Sequence, residues 1–239
     1  MKHISSQSKS ETNRGFTIVE LIVVITIFGI LAGLILFRYK DYQAAINLEN
    51  TAQDIALQIQ KAENDAIGGV FPHLGNGQMA PTSGWRPSYG VYFDPSTQTN
   101  QKRFLVFFDW ESVQQNDPAY KARGVDGRGY ISDNAPFSFC LSATSECINI
   151  ILITNDVRIE KTCEGTKIDC DNDPNDGIGP LSLVFTRPFP ERIAVKDAPN
   201  APAVLTADAR IRLISDVTGQ RRDIVISPLG QIHIETVQP

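Results

Sequence analysis

Residues 16–37 read FTIVELIVVITIFGILAGLILF, an unbroken apolar run with a single charge, Glu20. At about 1.5 Å rise per residue, a helix of that length spans a hydrocarbon core of roughly 30 Å. A buried helix of a soluble protein is the ordinary alternative, but such helices rarely stay apolar on every face for so long. A secretory signal peptide has a shorter apolar region, usually about 7–15 residues, closed by a small-residue cleavage site. Here the run ends in Phe37-Arg38-Tyr39-Lys40, without such a site. The run therefore predicts a membrane-inserted helix close to the N-terminus.

Flanking charge predicts its orientation. The segment ahead of the run carries Lys2, Lys9 and Arg14 against Glu11, which favours a cytoplasmic leader. The chain has four cysteines, all beyond the run, and they favour an oxidising compartment for that part. The larger part is thus expected outside the cytoplasm. The formal net charge of -5 argues against a general nucleic-acid binder, because phosphate binding wants a basic surface.

Glu20 is the anomaly of the run. A carboxylate in lipid costs on the order of 2.5–3.5 kcal/mol on insertion scales, and such groups have partners. A cut after Gly15 would supply one, the α-amine of Phe16, one helical turn away on the same face. The same amine on a neighbouring copy would serve equally. Glu20 is therefore an assembly residue in expectation, not a catalytic one.

Arg14-Gly15-Phe16-Thr17-x-x-Glu20-Leu21 followed by a long apolar run resembles the type IV prepilin signal. The resemblance covers the N-terminal segment of the chain up to the end of that run. It implies a membrane aspartyl peptidase, the prepilin peptidase, that cuts after Gly15 and methylates Phe16. It implies that Glu20 pairs with an N-terminal amine as subunits assemble. It also implies an inner-membrane assembly platform and other pilin or pseudopilin subunits as partners. The precursor would sit in the cytoplasmic membrane before joining a pilus at the cell surface or a periplasmic filament. Gly29 and Gly33 form a G-x-x-x-G pair that fits close helix packing in a filament, or simply the tolerance of membrane helices for glycine.

Beyond the membrane run, apolar residues recur from Ala45 at Leu48, Ala52, Ile55, Ile59, Ala62 and Ala66, with spacings of three and four. That is the stripe of an amphipathic helix. Gly68-Gly69 and Pro72 should end it. The alanine-rich seam predicts close packing on a sheet rather than a coiled coil. After residue 70 the period becomes two. Strands are expected at Tyr89–Phe93, Arg103–Phe108, Phe137–Leu141, Ile148–Ile153, Leu181–Thr186, Arg192–Val195, Arg210–Ile214, Asp223–Ser227 and Gln231–Glu235. Pro228-Leu229-Gly230 should turn the last hairpin. The expected class is α+β, a long N-terminal helix packed on an antiparallel sheet. The expected divisions are a cleaved leader (1–15), a transmembrane and filament-core helix (16–37), its amphipathic continuation (38–69) and an exported β-rich domain (70–239).

Tyr89-Gly90-Val91-Tyr92-Phe93-Asp94 and Asp223-Ile224-Val225-Ile226-Ser227-Pro228-Leu229-Gly230 resemble segments of the GspH/FimT-like minor pilins and pseudopilins. Members commonly place a basic residue after the last glycine, where this chain has Gln231.

Cys140, Cys147, Cys163 and Cys170 suit disulfides better than zinc, whose structural sites prefer closer cysteine spacing. The two outer and two inner cysteines are symmetric about Asn155. A hairpin turning at Thr154-Asn155-Asp156 would thus favour nested pairs, 140 with 170 and 147 with 163. Two local loops, 140–147 and 163–170, are the open alternative. Asp169, Asp171, Asp173 and Asp176 offer hard oxygens to calcium, although Pro174 and Pro180 break the EF-hand pattern. A solvated acidic loop is the plainer reading. Arg210, Arg212, Arg221 and Arg222 concentrate positive charge, and some relatives in the resembled group bind DNA; salt bridging explains the cluster equally. Finally, no nucleophile elbow, phosphate loop or paired-histidine motif is present, and His73 and His233 are isolated. A non-enzymatic structural subunit is the expectation, with a type II secretion pseudopilin or a DNA-binding minor pilin as variants.

Overall fold

The computed structural model describes residues 15–69, 88–109, 147–172, 177–185, 192–196 and 203–237. It divides into two units, 1–42 and 43–239. One helix, α1 (Ile18–Gly68), contributes to both. Helix formation over 51 residues follows from the absence of proline and from helix-favouring Leu, Ala, Glu, Gln and Lys along its second half. Gly69 ends it with a positive φ of 61°, its N–H donating to the Ala66 carbonyl at 3.3 Å.

In the first unit the large apolar side chains are exposed all round. Phe16 is 82% exposed, and Ile18, Ile22, Ile25, Phe28, Leu31 and Leu34 of α1 are all more than half exposed. The segment is long and apolar enough to cross a membrane, with a mean hydropathy of 2.8 over its best 18 residues.

The second unit holds, among the described residues, strands in two antiparallel sheets. Strands β1 (Ser88–Phe93), β2 (Arg103–Asp109), β3 (Cys147–Leu152), β5 (Leu181–Phe185), β6 (Arg192–Lys196) and β7 (Ala203–Val204) form the first, ordered β3-β2-β1-β5-β6-β7. Strands β4 (Val157–Glu164), β8 (Ala209–Ser215), β9 (Arg221–Ile226) and β10 (Ile232–Val237) form the second, ordered β10-β9-β8-β4. A short helix, α2 (Lys167–Asn172), follows β4.

The stripe of α1 is the centre of this unit. Leu48, Ala52, Ile55, Ala56, Ile59, Ala62 and Ala66 are buried in one cluster with Val91 and Phe93 of β1, Leu183 and Phe185 of β5, Ile159 of β4, Ile211 and Leu213 of β8 and Ile224 and Ile226 of β9. Alanine at four of these seven helix positions keeps the stripe thin, so inward-facing side chains of both sheets reach one core. The stripe starts at Ala44, which is buried, rather than at Ala45, which is half-buried.

The α+β class and the packing of the long helix on antiparallel strands agree with the expectation from sequence. The Pro228-Leu229-Gly230 turn joins β9 to β10 as expected, with Ile226 opposite Ile232 and Gly230 at a φ of 83°. The strand expected at Phe137–Leu141 lies outside the described residues. The two-residue β7 and the short α2 are not among the expected elements, and two larger features also differ. Strand β4 is not among the expected strands, because a register shift between Ile159 and Lys161 breaks its period of two and turns Lys161 and Thr162 inward. And β3 and β4 do not form a hairpin. Asn155, at a φ of 71°, turns a corner between the two sheets. The Lys102 ammonium holds that corner by donating to the carbonyls of Asn155 (3.3 Å) and Val157 (2.9 Å) and to Asp216 Oδ2 (3.1 Å).

Gly90 of β1 is a close-approach glycine. A Cβ there would run into the Phe107 ring and lie 2.6 Å from the Leu183 carbonyl oxygen. Gly90→Ala should lose about 1–3 kcal/mol by overpacking, and Ile59→Ala about 2–5 kcal/mol by cavity formation. Urea unfolding of the full chain in detergent micelles measures both.

Candidate functional site

The first candidate site is the start of α1. Thr17 stands just before the helix, and its Oγ1 accepts the backbone N–H of Glu20 at 3.2 Å. Its carbonyl accepts the Leu21 N–H, also at 3.2 Å. Thr17 is thus the N-cap, and Glu20 stands at the third helical position, where a carboxylate meets the positive end of the helix dipole. Thr17 is not among the residues expected from sequence to act here, although Thr-x-x-Glu ahead of an apolar run is the pattern of a capping box. Gly15 and Phe16 precede the helix and are exposed. At Gly29 and Gly33 an added Cβ would meet nothing within 4 Å, so that surface of the helix is open. The hydroxyl of Thr26 donates to the Ile22 carbonyl at 2.7 Å, so it is satisfied within the apolar segment.

The second candidate site is the outer face of the four-stranded sheet. Arg210, Arg212 and Asp223 are buried there, Asp223 completely. Arg212 and Asp223 stand opposite each other on β8 and β9. They form a two-pronged pair, Nε to Oδ1 and Nη2 to Oδ2, each 2.8 Å. A further guanidinium nitrogen of Arg212 reaches Asp171 of α2. Arg210 donates to the Gly165 carbonyl and to Glu235 Oε2, both at 2.7 Å, and lies 3.7 Å from Asp223. Burial pulls the Arg212 guanidinium down, but Asp223 and Asp171 outweigh it and hold the group well above its usual range. The hydrogen bond from Arg210, helped by His233, holds the Glu235 carboxyl below the usual carboxylate range.

The other two candidate arginines are also paired. Arg221 forms a two-pronged contact with Glu160 at 2.7 and 2.9 Å. Arg222 reaches Glu49 of α1 at 3.0 Å. The structure thus brings Arg210 and Arg212 together and places all four cations against carboxylates. The salt-bridge reading describes them.

Cys163 of β4 is bonded to Cys170 of α2, which pins the short helix over this charged face. The nested pairing is therefore not formed. The Asn155 corner puts the strands carrying Cys147 and Cys163 into different sheets, so the two never face each other. Cys147 is also disulfide-bonded. Cys140 lies outside the described residues.

Of the acidic run, Asp169 caps its own loop, its Oδ2 accepting both the N–H and the hydroxyl of Thr166 at 2.7 Å. Those two bonds hold the Asp169 carboxyl below its usual range. Asp171 is taken by Arg212, and Asp173 and Asp176 lie outside the described residues. Among the described residues, no group of three or more His, Cys, Asp or Glu is placed to hold a metal ion. His233 contacts Glu235 at 3.0 Å on the exposed rim, and His73 lies outside the described residues.

With the geometry in place, comparison with known proteins gives one match. Residues 12–36 fit the prokaryotic N-terminal methylation motif. No curated protein and no solved structure matches the chain. The match covers the start of the chain alone and describes a prokaryotic N-terminal methylation signal. Its span takes in Gly15, Phe16, Thr17, Glu20, Gly29 and Gly33.

Asp223 is completely buried between two guanidiniums, and neutralising it removes the two-pronged contact with Arg212 and leaves that cation only Asp171. Asp223→Asn should therefore cost about 3–5 kcal/mol, measured by urea unfolding. The Glu235 carboxyl, depressed in the folded state, adds stability that is fully present above its ordinary value of 4.5 and is lost as pH falls below it. Thermal melts carried from neutral pH to well below the ordinary Glu value of 4.5 should show that loss, and Glu235→Gln should flatten it.

Proposed function

We propose that this chain is a non-enzymatic minor subunit of a type IV pilus or related pilus-like filament. One observation carries the reading: the methylation motif over residues 12–36 coincides with a helix whose large apolar residues are exposed in the isolated chain. Apolar surface on every face of a helix needs a bilayer or other apolar helices around it. A filament core of packed helices supplies the second after the membrane supplies the first.

The mechanism follows from the named residues. Lys2, Lys9 and Arg14 hold the leader on the cytoplasmic side. Prepilin peptidase cuts after Gly15 and methylates Phe16, which becomes the first residue of the mature chain. Glu20, at the third helical position, pairs with an N-terminal amine of a neighbouring copy and ends its exposure to lipid. Gly29 and Gly33 leave room for a neighbouring helix to approach. The domain built on residues 43–239 is then carried outside the cytoplasm, where its disulfides are stable. The minor-subunit assignment rests on the likeness of the β1 segment and the β9 segment with its turn to GspH/FimT-like proteins.

Intact mass and N-terminal sequencing of the protein from its native membrane test the processing. A chain beginning at methylated Phe16 is expected. A chain still beginning at Met1 in cells with active prepilin peptidase would overturn it. Glu20→Ala should still be cleaved, yet its recovery in sheared filaments should fall at least about tenfold, the ratio that about 1.4 kcal/mol of lost pairing produces.

A further inference from the structure

A cavity of about 410 Å³ lies between α1 and the end of β3. That volume falls in the range of small-molecule sites. Its helical wall is Asn47, Asn50, Thr51, Asp54 and Gln58, which recur at three- and four-residue spacing and so share a face. Ile55, Phe104 and Ile153 form an apolar floor, and Leu57 and Leu152 stand exposed at the rim. Thr51 donates its hydroxyl to the Asn47 carbonyl at 2.7 Å. Among the described residues, the side chains of Asn47, Asn50, Asp54 and Gln58 have no hydrogen-bond partner.

The lining restricts the occupant. Each side-chain amide offers two donors and an acceptor, and Asp54 offers acceptors only. No cation lines the cavity, and Asp54 repels anions. One carboxylate is too little for a resident metal ion. A wholly apolar ligand would strand the amides without partners. An added peptide strand would have to run along the edge of β3 that faces away from β2, but the cavity meets that strand only at Ile151 and Leu152 and then follows the corner through Asn155. What fits is a neutral ligand whose groups both donate and accept, with apolar C–H faces for the floor. A sugar ring has that character.

We propose that this cavity binds a neutral saccharide, with Asn47, Asn50, Asp54 and Gln58 hydrogen-bonding its hydroxyls and Ile55, Phe104 and Ile153 meeting its ring faces. This does not depend on the filament role, because it rests on residues of the 43–239 unit alone. The test is titration of the full chain in detergent micelles with cellotriose, maltotriose and triacetylchitotriose, followed by calorimetry. Saturable binding of at least one, in the millimolar range or tighter, is expected. The Asn50→Ala/Gln58→Ala variant should weaken it at least about tenfold. Asn50 is exposed, Gln58 is half-buried on the cavity wall, and neither belongs to the buried stripe of α1, so an unchanged melting temperature should accompany the loss. Two outcomes would overturn the proposal: no saturable binding of any probe up to about 10 mM, above the millimolar affinities that weak contacts give, or wild-type affinity in the double variant.

Discussion

Helix α1 must bury apolar surface in two different ways, and the rest of the structure depends on that. Over residues 44–66 the apolar positions narrow to one stripe, rich in alanine, and two antiparallel sheets close on it. Over residues 18–36 they surround the helix, and the described part of the chain offers nothing to cover them. The first is how a globular domain takes in a helix. The second suits a bilayer or a bundle of like helices. The methylation motif lies wholly within or ahead of the second part, consistent with a signal read where the helix is still in the membrane.

Packing one helix against two sheets makes the four-stranded sheet a layer with two covered faces. Its inner side takes the α1 stripe, and its outer side carries Arg210, Arg212 and Asp223 beneath α2. Buried charge is tolerated there because every member has a partner of good geometry: Asp223 between two guanidiniums, Arg212 between two carboxylates, Arg210 against Glu235 and a backbone carbonyl. The Cys163–Cys170 bond keeps α2, and with it Asp171, in place over that group. Such an arrangement adds less to stability than it does to register, since slipping β8 by one residue against β9 would separate Arg212 from Asp223.

Legibility in the sequence tracks how local each pattern is. The apolar run, the stripe at Leu48, Ala52, Ile55, Ile59, Ala62 and Ala66, the last hairpin and most strands each derive from a period or a turn residue within a short window. Strand β4 does not, because its bulge hides the period. The disulfide does not either, because symmetry about Asn155 is equally compatible with a hairpin and with a corner between sheets; only the pairing partners of β3 and β4 decide between them. Of the candidate sites, the helix start is legible because its chemistry is linear in sequence. The arginine cluster is half legible: Arg210 and Arg212 fall on one strand face by spacing alone, but Asp223, Glu235, Glu160 and Glu49 come from elements that only the fold brings near.

On the filament reading, the helix start also explains how a subunit so apolar would leave lipid at all. Lipid tails are about as apolar as leucine, so moving the 18–36 surface from bilayer to packed helices changes its solvation little. The hydrophobic effect therefore supplies no direction for that transfer. A carboxylate in the first turn does, because a charge in lipid carries a cost, on the order of 2.5–3.5 kcal/mol at mid-membrane, that falls once an amine pairs with it. Thr17 contributes by fixing where the helix begins. If the helix began a turn later, Glu20 would lie outside it and lose its place at the positive end of the helix dipole. On the filament reading, the single charge of the run gives assembly its direction, while the apolar residues around it make the transfer nearly neutral in either sense.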